Sequence, residues 1–194
     1  MKQLRIISGI ALLLAASAAS VAAQSRPDPA ALLKAQETAM KRFAGMDGTW
    51  RGTAWTLLPS GEKHTLTQTE RVGPFLNGSV KVVEGRGYEA DGSVSFNALG
   101  IISYDPATEK YSMRSHAMGH RGDFAITPTE NGFRWEIPAG PMILRYTATI
   151  ENGVWTEVGE RVRDGAEPVR FFEMTLRRIG DTDWPAAGAI EPGE

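Results

Sequence analysis

The sequence has no cysteine. Structural disulfides are therefore excluded, and so is the lipid-anchored lipoprotein class, whose anchor is a cysteine at the cleavage point. Stability must come from a packed core. Histidine is almost as scarce, with three in 194 residues: His64, His116 and His120. An excess of charge of one sign is also missing. Lys and Arg total 21 against 23 Asp and Glu, a formal net charge of −2 without a basic patch, so nucleic-acid binding has no electrostatic footing. Nucleophile elbows, dinucleotide fingerprints and zincin motifs are absent. The run Glu84-Gly85-Arg86-Gly87 reads as a bend rather than a phosphate loop, because no helix pattern comes after it.

Only one long apolar run is present, Ile6–Ala23. Lys2 and Arg5 precede it, and Val21-Ala22-Ala23 supplies the small residues that a signal peptidase requires. Residues 1–23 thus read as a secretory signal peptide, with Gln24 as the mature start and a periplasmic or secreted destination. The competing reading is a membrane anchor. The run is Ala/Ser-rich, sits at the short edge of the ~20 apolar residues a spanning helix needs, and is followed by the polar Gln24-Ser25-Arg26. The mature protein is accordingly expected to be soluble, with no stable membrane insertion.

Residues 24–44 read as a polar leader and one helix. Asp28 suits the N-cap, Pro29 suits the first helical position, and Leu32, Leu33, Gln36, Met40 and Phe43 fall near one face. The pattern predicts a helix over 29–43, ended by Gly45 and Gly48 and laid across one end of the strand-rich region. From Thr49 the rhythm changes to short strands separated by turn residues about every ten positions. Strands are predicted near 49–58, 63–73, 79–88, 93–104, 110–118, 122–128, 132–137, 142–151, 154–162 and 169–178. Asn131-Gly132 and Asn152-Gly153 carry the two-residue hairpin signature, which requires positive φ at both positions. A long meander of hairpins without helical crossovers closes on itself and so loses its edges. The expected fold is therefore all-β: an antiparallel up-and-down barrel of 8–10 strands over residues 45–180, with an N-terminal helix. An open sandwich is the alternative. Residues 181–194, rich in Pro, Gly and Ala, are expected to form a flexible tail.

Counting outward from Asn152-Gly153 pairs Glu151 with Val154, Ala148 with Glu157 and Arg145 with Glu160. The face holding Leu144, Tyr146, Ala148, Ile150 and Trp155 is the more apolar one, and it also holds Glu157 and Arg161. The same count at the central turn sets Arg114 across from Ile101 and His116 across from Leu99. A binding barrel combines an apolar lining with a few charged or hydroxyl anchors. Arg114, His116, Tyr146, Glu157 and Glu173 are the candidate anchors. Alternating charges on a strand also mark a wet outer face, where cross-strand pairs contribute only ~0.2–1 kcal/mol. A metal site is not expected: on one extended strand His116 and His120 would lie roughly 13 Å apart by strand rise.

Gly48-Thr49-Trp50-Arg51-Gly52 resembles the Gly-x-Trp-x-Gly start of calycin-type barrels, including lipocalins and nitrobindin-like proteins. The stretch from Gly100 to Tyr111 looks like the central hairpin of a family of often secreted bacterial proteins of unknown function with a lipocalin-like barrel. Phe172–Arg178 is similar to that family's last strand. The resemblance spans about residues 45–178 and implies a calycin-like barrel without assigning catalytic residues. Independently of it, Trp50 reads as an apolar plug at the barrel base and Gly52 as a point of close chain approach. Nitrobindin-like barrels bind haem through a histidine in their C-terminal half. This chain has none after residue 120, so no cofactor is expected. The function expected is non-catalytic binding of a small apolar or amphipathic molecule in the barrel. The alternatives are a small barrel enzyme, using for example His116 with Glu157 for acid/base work, or a structural envelope protein with a filled barrel.

Overall fold

A computed structural model describes residues 28–185; the signal-peptide reading of residues 1–23, most of the leader and residues 186–194 lie outside it. Asp28 caps helix α1 (Pro29–Met40), its carboxylate accepting the Ala30 N–H at 3.1 Å. The chain then tightens into a 3-10 turn, Lys41–Met46, before the first strand. Ten antiparallel strands come next: β1 (Gly48–Leu57), β2 (Lys63–Phe75), β3 (Val80–Tyr88), β4 (Val94–Asp105), β5 (Lys110–Ala117), β6 (His120–Pro128), β7 (Gly132–Ala139), β8 (Met142–Glu151), β9 (Val154–Val162) and β10 (Val169–Gly180). Each strand pairs with its sequence neighbours, and β1 pairs with β10 to close the barrel.

Closure depends on a close approach. A Cβ at Gly52 would meet the Thr175 carbonyl oxygen and the Leu176 Cα of β10, so only glycine lets the two terminal strands pair here. The hairpin registers come out as the sequence predicts: Glu151 faces Val154, Ala148 faces Glu157, Arg145 faces Glu160, Arg114 faces Ile101 and His116 faces Leu99.

Two turns differ from expectation. Asn131-Gly132 is not a two-residue hairpin loop, because Pro128 pairs with Phe133 and neither residue has positive φ. Gly132 serves instead as a second close approach, against the Ala148 carbonyl, while the Asn131 amide donates to Glu151. The tight loop lies at Met118-Gly119, whose φ values of 49° and 81° turn β5 directly into β6. His116 and His120 consequently sit on two strands of one hairpin rather than along a single strand.

Alternating connections put the helix and the β2–β3, β4–β5, β6–β7 and β8–β9 turns at one end. That end is plugged. Met40, Phe43 and Met46 are buried, and the Trp50 indole N–H donates to the Met46 carbonyl at 2.8 Å. Trp50 packs edge-on against Trp155, which packs against Phe133, which meets Phe43. Gln36 Nε2 donates to the Tyr104 carbonyl, and the Tyr111 hydroxyl donates to the Ala39 carbonyl, tying the helix to β4 and β5. Lys81, 3% exposed, forms an ion pair with Asp47 beside the plug. Burial pushes its ammonium below the usual lysine range, against the opposing pull of Asp47. Beyond β10, Trp184 packs edge-on against Phe75 of β2, so the described part of the 181–194 segment is held to the barrel.

Trp50 is 1% exposed at the centre of the plug, whereas Trp55 on the same strand is half-buried beneath Lys63. Trp50→Ala is expected to cost about 3–5 kcal/mol in urea unfolding, and Trp55→Ala about 1 kcal/mol or less. Equal losses would contradict the plug.

Candidate functional site

Above the plug the barrel is hollow. A cavity of about 530 Å³ runs from Met46 and Trp155 up to His120 and Arg121 at the opposite end. It stays open because the inward side chains divide into two kinds. Gly85 on β3, Ala98 and Gly100 on β4, Ser115 and Ala117 on β5 and Gly122 on β6 form a wall of small residues. Phe124, whose ring covers Gly122 on the same strand, begins an aromatic wall that Trp135, Tyr146, Phe171 and Phe172 continue on β7, β8 and β10. Trp135 and Tyr146 stack at 4.3 Å with their planes 10° apart, and Tyr146 meets Phe171 and Phe172 edge-on. A ten-stranded barrel is also wider than the eight-stranded barrels whose side chains fill the interior.

The open end is ringed by the remaining connections. Leu58, Val94, Met118 and Val169 lie on or beside them and are exposed. Arg161 covers Phe171 at this rim, 4.9 Å from the ring centre.

Two carboxyl groups face the cavity. Glu157 of β9 is buried and accepts the Trp135 indole N–H at 2.9 Å. The Trp155 indole is close enough to favour the Glu157 anion too, but its N–H makes no hydrogen bond of acceptable geometry. Glu70 of β2 accepts the Gln68 amide N–H at 2.8 Å. Glu70 retains some accessible surface, which is the face it turns to the cavity. Gly85 makes room for it, since a Cβ there would stand 2.7 Å from a Glu70 carboxyl oxygen. Strands β1 and β10 separate the two acids: Ala54 of β1 and Met174 of β10 line the cavity there, Met174 across from Glu157, and Trp50 of β1 stands across from Glu70.

Burial governs how these groups titrate. The Glu70 carboxyl is pushed up to about 8 by desolvation, offset in part by the Gln68 hydrogen bond and reinforced by Glu157 and Glu84. Glu157 is raised by burial, against the Trp135 N–H. The Tyr146 hydroxyl is pushed up to about 12, chiefly by burial. No cation contributes to the shift of either carboxyl.

Of the five anchors predicted from sequence, Tyr146 and Glu157 line the cavity. The other three do not. Arg114 points outward and pairs with Asp123 at 2.8 Å. His116 is exposed on the same outer face, beside a solvent-open depression shared with Glu84, Arg86 and His120. Glu173 is paired outside with Arg170 at 2.8 Å. Outer-face pairing also takes Arg145, whose ion pair runs to Glu136 rather than to Glu160. Sequence reading missed Glu70, Gln68 and Trp135. The signal for the first two was the spacing Leu66-x-Gln68-x-Glu70-x-Val72, which puts both polar residues on the face of two apolar ones. Among the described residues, no three His, Asp or Glu side chains gather as a metal-ligand set, and no helix is long and apolar enough to cross a membrane.

Folded Glu70 holds its proton to about pH 8, whereas an unfolded carboxyl releases it near 4.5. Between those values the folded state binds more protons, so stability falls as pH rises, by up to about 1.4 kcal/mol per unit. Urea unfolding from pH 5 to pH 8 is expected to show this decline, and Glu70→Gln is expected to remove most of it. Identical pH profiles for the two proteins would place Glu70 in water.

No protein-family model matches this chain, and no curated protein matches it. Among solved structures it is similar to the crystal structure of Rv2717c from M. tuberculosis, with a TM-score of 0.54 and 11% identity over 72% of this chain and 96% of that one. At that identity the likeness shows the barrel fold alone.

Proposed function

We propose that this protein binds a small, largely apolar or amphipathic molecule inside its barrel and performs no chemistry on it. The observation that supports this most strongly is the cavity itself: about 530 Å³, mostly apolar, with two carboxyls and one phenol set into it. That volume and lining match sites for small organic ligands, where apolar area supplies burial and a few polar groups fix orientation. The exposed apolar rim offers a route of entry for such a molecule. Acid/base catalysis by His116 with Glu157 loses its support, because the sheet stands between an outward histidine and an inward carboxyl.

The Gly48–Gly52 opening of β1 supports a calycin-type assignment of the barrel. The signal-like residues 1–23 support export, so the site of action in this reading is the periplasm or the exterior of the cell.

Native mass spectrometry of protein purified from its own host is the direct test. A reproducible bound mass is the expected result, and a clean unliganded mass across preparations would contradict constitutive carriage. A second test uses N-phenyl-1-naphthylamine, whose fluorescence rises in apolar sites. It is expected to bind the wild type, with affinity reduced about tenfold or more in Ala98→Trp and Ser115→Phe, which fill the small-residue wall. Unchanged affinity in two folded variants would place the probe outside the cavity.

A further inference from the structure

The carboxyl pair in the cavity makes the binding reading more specific. Burying a carboxylate without a partner is costly, and buried charges are ordinarily paired. Among the described residues, Glu70 and Glu157 form no ion pair: the hydrogen bond of Glu70 comes from the neutral Gln68 and that of Glu157 from the neutral Trp135. The basic side chains at the cavity stand at its mouth: exposed His120 and Arg121 line it there, and half-buried Arg161 lies over Phe171 at the rim, near enough to act on the Tyr146 hydroxyl. Lys81, the buried lysine of the barrel, is already taken by Asp47.

The site is nonetheless furnished for ionised carboxyls. Gln68 and Trp135 each aim an N–H at one of the two acids, and Trp155, 2% exposed and lining the same cavity, holds an indole N–H without an acceptor beside Glu157. Donors that suit the anion stand around acids that burial keeps protonated. A cation brought into the cavity resolves this conflict, because it supplies the missing partner for a carboxylate. The aromatic wall adds to the same preference. Trp135 and Tyr146 stack beside Glu157, and the faces of such rings attract cations, more strongly when water is excluded.

We infer that the molecule held in this barrel is an amphipathic amine, its apolar body lying along the aromatic wall and its ammonium group seated between Glu70 and Glu157. This inference rests on the reading of the cavity as a binding site and specifies the head group of its ligand. An alkyl ammonium stays protonated across the neutral range, as a lysine side chain does. Its charge-assisted hydrogen bonds to the carboxylates are about twice as strong as those of a neutral hydroxyl. An alkyl carboxylate of the same length would meet two acids inside, with cations only at the rim, where Arg161 already covers Phe171.

The test compares decylamine, decanol and decanoate at pH 7 by calorimetry and by quenching of the cavity tryptophans. The amine is expected to bind about tenfold or more tighter than the alcohol, and the acid weakest of the three. Glu70→Gln and Glu157→Gln are each expected to shrink the ratio of amine to alcohol affinity, and the double variant to bring it close to one, with circular dichroism confirming the fold. Because the readout is a ratio within each variant, a general loss of affinity does not mimic the effect. Equal binding of the three compounds, or a preference for the acid, would overturn the amine inference while leaving the cavity a binding site. Failure of all three to bind would overturn both.

Discussion

Pairing of β1 with β10 is the constraint on which the rest of the molecule depends. It is made possible at Gly52, where the Thr175 carbonyl passes through the space a Cβ would occupy. Once the sheet is closed, every strand has an inner and an outer face, and the period of two assigns each residue to one of them. A closed sheet of ten strands is not filled where Gly85, Ala98, Gly100, Ser115, Ala117 and Gly122 cluster on its inner wall. A hollow therefore remains, and the aromatic plug around Trp50 and Trp155 seals it at one end only.

That geometry gives the two inward acids their character. On an open sheet Glu70 and Glu157 would be hydrated and ordinary. Inside the barrel they lose water and gain only neutral hydrogen-bond donors, so burial holds both above the usual carboxylate range. Outer-face carboxylates behave in the opposite way. Asp123, beside the Arg114 guanidinium, is held below its usual range by that pairing. The same residue types on two faces of one sheet thus do different chemistry, and the face is decided by parity along the strand.

Much of this was legible in the sequence. The meander, its ten strands and the capped helix could be read from turn residues, alternation and the Asp28-Pro29 start. Registers counted from Asn152-Gly153 were correct, because a two-residue loop fixes the pairing of both strands, and they brought Glu157 and Tyr146 to the apolar face. Arg114 and His116 were also placed correctly with respect to their partners. Their face could also have been read from the other side of the same hairpin, where Ile102, Tyr104, Tyr111 and Met113 mark the inside and leave Arg114 and His116 outside with Ser103 and Ser112. Glu70, by contrast, was hidden. The β1–β2 connection spans residues 58–62, too long for loop type to fix a register, and the threonines alternating with Leu66, Gln68 and Glu70 blur the contrast between faces. Met118-Gly119 lacks the Asn or Asp that marks a tight hairpin, so the break expected between strands 110–118 and 122–128 could not be read as a two-residue loop.

The central claim is that the barrel encloses an apolar, water-poor space in which carboxyl groups are held protonated. Carbon-13 NMR of the glutamate side-chain carboxyls, assigned with Glu70→Gln and Glu157→Gln, measures this at the atoms concerned. The expected result is one carboxyl titrating near about 8 that disappears in Glu70→Gln, and a second, lost in Glu157→Gln, titrating above the ordinary range. If every glutamate titrates near its ordinary value of 4.5, the interior is wet and the claim is contradicted.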